Sequence, residues 1–317
     1  MRWKIFLDFY FLPLLISKST NQKIKIMKNL KTLFLTALAA LFLVTTITSC
    51  NKDEAGVYNP DKKIAQIFEK QYNEQEYLTE QWTWDGDLLT KVDYYDQGEV
   101  AGFENYEYLD NKLNKVIDNY MYYSLYFYDE ANDKHYSKIE YYDDNNTKLS
   151  EITFQYTEDK VTSMSVTTTA VTKHFLTMLN RGFIGKMIPA QGMDQIVKEV
   201  KKNQENNSKS TTNVVFVYEG DNVISMTVGS YITTFAGYDQ FKNPVYNWTP
   251  FRNYYEETNP TVFQYNNPGS MTTSYGVIDL VTTFTYTYDG DYPTYITTSS
   301  ESSGISITNT TRLVYLD

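Results

Sequence analysis

The residues able to perform nucleophilic or metal chemistry are few in this chain. Among 317 residues there are only two histidines, His135 and His174, and one cysteine, Cys50. A histidine-centred triad or a zinc site therefore has few members to draw on. The nucleophile-elbow, zinc-protease, phosphate-loop and dinucleotide-binding motifs are all absent from the sequence. We predict a non-enzymatic protein that uses no metal and no cofactor.

The carboxylates leave one catalytic alternative open. Glycoside hydrolysis needs two positioned carboxyl groups, and the chain has 39 Asp and Glu residues from which a fold could assemble a pair. Two acidic runs, Asp85-Gly86-Asp87 and Asp143 to Asn146, hold calcium-type oxygens, but neither continues into a twelve-residue calcium loop. We interpret both runs as turns. A carboxylate-dependent glycoside hydrolase remains as an alternative function.

Cys50 stands where a lipid could be attached. It closes the run Ile47 to Cys50 behind a cationic start, Met27 to Lys31, and an apolar centre, Leu33 to Val44. The apolar part is short for a membrane span, which takes about 20 apolar residues. The segment resembles a bacterial lipoprotein signal peptide, in which the cysteine is acylated and becomes the first residue of the mature chain. An uncleaved anchor helix with a chance cysteine is the alternative.

The flanking residues refine the expected location. Residues 1–26 precede a complete signal at 27–49, so the chain begins at Met1 or at Met27. After the cysteine, Lys52, Asp53 and Glu54 resemble the Lys-acid-acid signal that sends lipoproteins of Bacteroidota to the outer face of the outer membrane. Display at the cell surface is therefore expected, and the periplasmic face is the alternative. Residues 50–61 then form a flexible acidic tether, and residues 62–317 form the folded domain.

Composition limits the partners and predicts the fold class. Residues 1–49 hold seven of the Lys and Arg residues and one Asp, so the formal net charge of −11 becomes −17 for the chain from Cys50. Such a charge repels nucleic acid and anionic lipid, so nucleic acid is not an expected partner. The 30 Tyr and 17 Phe residues, with many Thr and Val, favour β-strands.

An internal repeat organises the domain. Each copy has an aromatic residue at positions 0 and 2, a turn at positions 4 and 5, and apolar residues at positions 7 and 10. Residues 0 and 2 share one face of a strand, the turn residues tolerate positive φ, and the chain returns as a second strand. The copies therefore predict β-hairpins, and they begin at Trp82, Tyr106, Phe154, Phe216 and Tyr286, with a longer-turned copy at Tyr126 and a half copy at Ile64.

The pattern resembles known repeats. Segments such as Trp82 to Leu89 are similar to the tyrosine-aspartate hairpins of RHS-type repeat proteins, and residues 77–89 and 237–244 resemble more closely an uncharacterised family of Bacteroidota surface lipoproteins. The resemblance implies a mainly β fold, an antiparallel meander of hairpins forming a curved sheet, over residues 62–317. It implies no toxin encapsulation, because six or seven repeats are too few for a closed RHS shell.

Two interruptions break the repeat. The apolar spacing over 171–203 changes to a helical period, which predicts an inserted helical pair that covers the sheet or acts as a mobile docking element.

The segment 243–271 combines four prolines with many aromatic rings. Rings in an irregular loop suit a binding surface. Its candidate ligand-binding residues are Tyr246, Trp248, Tyr254 and Tyr255, and the alternative is that these rings plug one end of the sheet.

The sequence thus predicts a lipid-anchored, non-catalytic binding protein at the cell surface, held to the membrane by its N-terminal lipid. Its ligand is expected to be a glycan, a peptide or a protein partner. A structural component of the envelope or matrix is the other alternative besides the hydrolase.

Overall fold

The computed structural model describes residues 60–71, 74–96, 98–129, 132–168, 210–246, 263–275, 278–302 and 305–316. These residues form β-strands and their connections and contain no helix. The predicted helical pair at 171–203 lies outside the described residues. No described helix is long and apolar enough to cross a membrane.

Within these described ranges, sixteen antiparallel strands follow one another. Their bounds are β1 Ile64–Lys70, β2 Tyr77–Asp85, β3 Leu88–Asp96, β4 Glu99–Leu109, β5 Lys112–Asp118, β6 Tyr123–Asp129, β7 Asn132–Tyr142, β8 Lys148–Thr157, β9 Lys160–Thr168, β10 Ser210–Glu219, β11 Asn222–Val228, β12 Tyr231–Ala236, β13 Ser270–Tyr275, β14 Ile278–Asp289, β15 Tyr292–Ser302 and β16 Ile305–Tyr315.

The sheet closes into a barrel. Each strand pairs with its neighbours in sequence, and β1 pairs antiparallel with β16, for example through Ile67 opposite Leu313. The prediction of an open, curved meander with a helical insert is therefore wrong. Closure leaves no unpaired edge, which removes the need for an element that covers one.

Toward the short turns the inward side chains of β2 and β14 are apolar, and most outward side chains there are polar. On β14, inward Phe284 is buried, whereas the outward residues Thr283, Thr285 and Thr287 are exposed. The same alternation puts Trp82 inside and Thr83 outside on β2. A barrel embedded in lipid needs an apolar outward band and a polar lumen. The outward threonines of β2 and β14 are polar, whereas Val281 of β14 and Val215 and Val217 of β10 are outward, apolar and exposed.

The repeat corresponds to a hairpin with one bulged residue. In β2 and β3, Trp82 pairs with Val92 and Trp84 pairs with Leu89, so Thr90 is left over as a bulge. The bulge explains why the apolar offsets in the sequence are 7 and 10, and the Thr90 hydroxyl donates to the carbonyl of Thr83 at 3.1 Å. The same register recurs in the hairpins that begin at Tyr106, Tyr126, Phe154, Phe216 and Tyr286.

Polar atoms of aromatic rings join each hairpin to the one before it. Tyr108 at position 2 donates its hydroxyl to the carbonyl of Leu89, at position 7 of the preceding hairpin, over 2.9 Å. We call the set the eight ring–carbonyl bonds. They run Trp84 to Ile64, Tyr108 to Leu89, Tyr128 to Leu113, Tyr156 to Tyr136, Tyr218 to Val161, Tyr238 to Val223, Tyr286 to Pro268 and Tyr315 to Pro293.

These bonds lie near one end of the barrel, which we call the turn end because the short repeat turns are there. At 110–111 and 158–159 both turn residues have positive φ, between 51° and 66°, as in a type I′ turn. Lysine side chains connect neighbouring turns. Lys160, for example, donates a hydrogen bond to the carbonyl of Gly220 and forms an ion pair with Asp221. The opposite end, where β9 ends and β10 begins, is called the far end.

Candidate functional site

The residues predicted from the sequence to form sites are mostly not described. Cys50, Lys52, Asp53 and Glu54 lie outside the described residues, as do Trp248, Tyr254 and Tyr255. Tyr246 is described and is half-buried. Its ring packs edge to face on Tyr265, with ring centroids 5.2 Å apart. The predicted aromatic ligand surface therefore stays a prediction.

The two described limbs of that proline-rich segment cover the turn end. Val245 is 4% exposed and Phe263 is 8% exposed, and Phe263 packs edge to face on Phe216 at 5.1 Å. Asn243 ties the limbs together because its amide nitrogen donates to the carbonyl of Gln264 and its backbone N–H to that of Tyr265. The limbs pack on the barrel, but the rings between them lie outside the described residues, so both the ligand surface and the plug stay predictions.

Asp239 connects the two limbs to β14 through hydrogen bonds. Its carboxylate accepts hydrogen bonds from the backbone N–H groups of Phe241 and Asn267 and from the hydroxyl of Tyr288. The Phe241 ring stacks on Tyr288 at 4.1 Å. Burial, followed by the bond to Asp239, raises the pKa of Tyr288. Sequence reasoning missed this role, although Gly237-Tyr238-Asp239 was part of the family resemblance.

The histidine and the acidic runs have structural surroundings. His135 stacks on Tyr156 at 4.9 Å and lies 3.3 Å from Asp159 of a neighbouring turn. Asp143 accepts the backbone N–H groups of Asn145 and Thr147, as expected for a turn residue. Within the described ranges, no group of three His, Cys, Asp or Glu residues could hold a metal ion.

Buried polar side chains lie on the inward faces of the strands toward the far end. They include Glu80, 4% exposed, which accepts the indole N–H of Trp82 at 2.9 Å. Glu104, 8% exposed, accepts the hydroxyls of Tyr94 and Tyr106 at 2.9 and 3.0 Å. Burial and the nearby Tyr94 and Glu104 raise the pKa of Tyr106, so it remains a hydroxyl donor.

Buried hydroxyl groups also point inward in this part of the barrel. We define the far-end compartment by its glutamates and by the buried inward hydroxyls around them, namely Glu69, Glu80, Glu104, Ser150, Thr168, Thr233, Thr273, Thr298 and Thr311. Glu69 and Thr311 are cross-strand partners on β1 and β16. Sequence reasoning missed the compartment because threonine and serine are common on both faces of these strands.

Carboxylates of this kind can accept hydrogen bonds from a polar ligand, and hydroxyls can both donate and accept them. Glu80 and Glu104 are also of the residue type that a glycoside hydrolase uses for catalysis. In the described structure both side chains accept hydrogen bonds from aromatic residues of their own or the adjoining strand. That arrangement holds the carboxylates in fixed orientations.

A charged cluster lies on the outer wall. Burial alone would raise the pKa of Glu140, but hydrogen bonds from Lys138, Lys148 and Tyr142 lower it to about 2. The bond to Glu140 in turn raises the pKa of Tyr142 to about 12. The Tyr142 ring stacks on Tyr123 at 5.0 Å, so the cluster joins β6, β7 and β8 on their outer face.

Comparison with known proteins gives only a distant likeness. No family model matches the chain, and no curated protein matches it. Among solved structures, the chain is similar to a porin-like protein from Bacteroides vulgatus, with 10% sequence identity and a TM-score of 0.32, over 81% of this chain and 99% of that chain. At this distance the likeness carries no argument about function or location, and both depend on the residues of this chain.

Proposed function

We propose that this protein is a non-catalytic binding protein, held by a lipid on Cys50 and displayed at the outer face of the outer membrane. The observation that carries the proposal is the set of buried carboxylates and hydroxyls on the inward faces of the strands toward the far end. The signal-like segment that ends at Cys50 and the run Lys52 to Glu54 support the anchoring and the display.

Three ion pairs fix the point at which the chain enters the barrel. At the turn end, Lys62 pairs with Asp289 at 2.9 Å and Lys63 with Asp87 at 2.6 Å. Asp61 pairs with Lys242 at 2.6 Å. The chain thus enters the barrel at the turn end, about ten residues after Cys50, and that tether reaches at most about 35 Å.

Fractionation and proteolysis test the anchoring. Cys50→Ala should leave the precursor uncleaved or release the protein from membranes, because the acylated thiol is gone. Full-length parent protein should be digested when a protease is added to intact cells. Normal membrane retention of Cys50→Ala with a mature N-terminus would refute the lipid anchor, and protection of the parent in intact cells would place it on the periplasmic face.

The buried glutamate pair favours a second candidate, a glycoside hydrolase. Glu104→Gln keeps the shape of the side chain and an acceptor for the tyrosine hydroxyls but removes the carboxylate. If the protein is a binder, the parent should return a bound glycan unchanged, as checked by mass spectrometry. Glycan cleavage by the parent and not by Glu104→Gln would replace the binding function with hydrolysis.

A further inference from the structure

We infer that the outer wall of β10 to β15 binds a second copy of this chain, so that two barrels pair side by side. This inference goes beyond the proposed binding function, because it concerns outward residues and not the inward carboxylates. It depends on the composition of this part of the wall, on the positions of its exposed apolar residues and on its area.

Three rows of outward residues cross these strands. Neighbouring members of the middle row are cross-strand partners on β10 to β14. The row runs Val217, Ser225, Thr234, Thr272 and Val281. One flanking row begins at Val215 on β10 and ends at Ser274 on β13, and the other begins at Ala236 on β12 and ends at Ser299 on β15. We call the three rows together the uncharged face.

The uncharged face differs in composition from the rest of the wall. The middle row has five residues and each flanking row has four, and none of these described residues is charged. At the chain's overall share of charged residues, 21%, about three would be expected. The outer face of β3 to β8 instead carries ion pairs, such as Lys91 with Asp93 and Lys138 with Glu140. Depletion of charge is typical of the central part of a protein interface.

Several apolar side chains of this face are exposed to water. Val215, Val217, Ile232 and Val281 are each between 42 and 49% exposed. Single exposed aliphatic residues are ordinary on a protein surface, but several of them on one uncharged surface mark an interaction site.

Charge and symmetry favour a second copy as the partner. The chain from Cys50 carries a formal charge of −17, so two copies repel each other over most of their surfaces, and the uncharged face is where they can meet without opposed like charges. Val217 and Val281 end the middle row, and Thr234 is its centre. A two-fold axis through Thr234, parallel to the strands, places Val217 of each copy against Val281 of the other. The same axis keeps both turn ends on one side, in agreement with two lipid anchors in one membrane.

The area of the face is sufficient for a specific contact. Six strands about 4.8 Å apart and three rows about 6.8 Å apart cover about 29 by 20 Å. Two such faces bury about 1,200 Å² in total, the lower bound for specific interfaces between proteins. We therefore expect a dimer whose dissociation constant lies in the micromolar range.

The test measures the mass of the full-length protein in detergent by light scattering, with the detergent contribution subtracted. The dilution series starts at about 100 µM, well above a micromolar dissociation constant. The parent should have the mass of two chains at the highest concentration. Val217→Glu should raise the dissociation constant by about a hundredfold or more, because it places an unpaired carboxylate against Val281 of the second copy.

The double variant Val217→Glu/Val281→Lys should recover at least about tenfold of that loss, because each glutamate then faces a lysine of the other copy. Within one chain the two positions lie four strands apart, about 19 Å, so the new charges cannot pair internally. Recovery would therefore support the two-fold arrangement specifically.

Thr83→Glu is the matched control, since Thr83 is exposed on the outer face of β2. It should dimerise as the parent does, and all variants should keep the circular dichroism spectrum of the parent. The inference is overturned if the parent has the mass of one chain at every concentration, or if Val217→Glu dimerises as well as the parent. It is also overturned if Thr83→Glu dissociates as readily as Val217→Glu, or if the double variant dimerises no better than Val217→Glu.

Discussion

Raising the pH above 10 should unfold the barrel in a steep transition. Burial raises the pKa of ten tyrosines above the usual 10, so they stay protonated in the folded state, whereas the unfolded chain ionises them near pH 10. They are Tyr106, Tyr108, Tyr126, Tyr128, Tyr141, Tyr156, Tyr218, Tyr238, Tyr286 and Tyr315. Seven of them also donate one of the eight ring–carbonyl bonds through their hydroxyl groups.

The sign and size of the effect follow from linkage. A folded-state pKa above the unfolded value gives stability that is complete below pH 10 and is lost as the pH rises toward the folded pKa. Each such tyrosine loses about 0.4 kcal/mol by pH 10 and about 1.4 kcal/mol by pH 11. Ten of them together lose about 14 kcal/mol by pH 11, which matches the whole stability of a typical domain, roughly 5 to 15 kcal/mol.

The assay follows tyrosinate absorbance and circular dichroism together during an alkaline titration. We expect the main absorbance step and the loss of β-structure to coincide between about pH 10 and 11.5. Tyr156→Phe should make the unfolding free energy depend less steeply on pH, by about 1.4 kcal/mol per pH unit. Ionisation of most tyrosines while the β-signal persists would refute the reasoning, because the rings would then be accessible in the folded barrel.

Three further changes test separate parts of the wall. At neutral pH, Tyr156→Phe should lower the free energy of urea unfolding by about 1 to 2 kcal/mol, since one hydroxyl–carbonyl bond is lost. The control Tyr95→Phe, on the outer wall, should change that free energy by less than about 0.5 kcal/mol. Equal effects of the two substitutions would contradict the importance of the ring–carbonyl bonds. Glu140→Gln should lower the free energy of unfolding at pH 7, because a carboxylate whose folded-state pKa is lowered to about 2 stabilises the fold at every pH above its unfolded-state pKa. The difference from the parent should shrink as the pH falls from 4.5 toward 2. A difference that does not change with pH would exclude the charge as its cause. Gly269→Ala should cost about 1 to 3 kcal/mol in urea unfolding, since its Cβ would lie 2.8 Å from the carbonyl oxygen of Gly237, and a neutral result would show that the backbone there can shift.

The hairpins could be predicted from the sequence because their determinants are local. Trp84 and Leu89 are five residues apart and face each other across a bulge, so the repeat in the sequence is the repeat in the structure. Trp84, Tyr108, Tyr156, Tyr218 and Tyr288 do occupy equivalent pairing positions. Only Tyr288 departs in its bonding, since its hydroxyl goes to Asp239 while Tyr286 makes the ring–carbonyl bond.

Closure of the barrel could not be predicted in this way. Ile67 and Leu313 are cross-strand partners although almost the whole domain separates them in sequence. The residues around each of them do not identify its partner. Strands β12, β13 and β16 lack the aromatic-turn motif, so counting repeats gave too few strands. The far-end compartment was missed for a related reason, because inward Thr298 and outward Thr297 obey the same strand pattern.

The pairing of β1 with β16 makes the order of synthesis a problem for this chain. The first strand to emerge cannot complete its pairing until the last one has left the ribosome, and such distant contacts are associated with slow folding. Until then the growing sheet has two open edges that can join other chains. An exported protein of this topology must be kept unfolded until its C-terminus has crossed the inner membrane, and loss of the last dozen residues would leave an aggregating sheet instead of a smaller barrel.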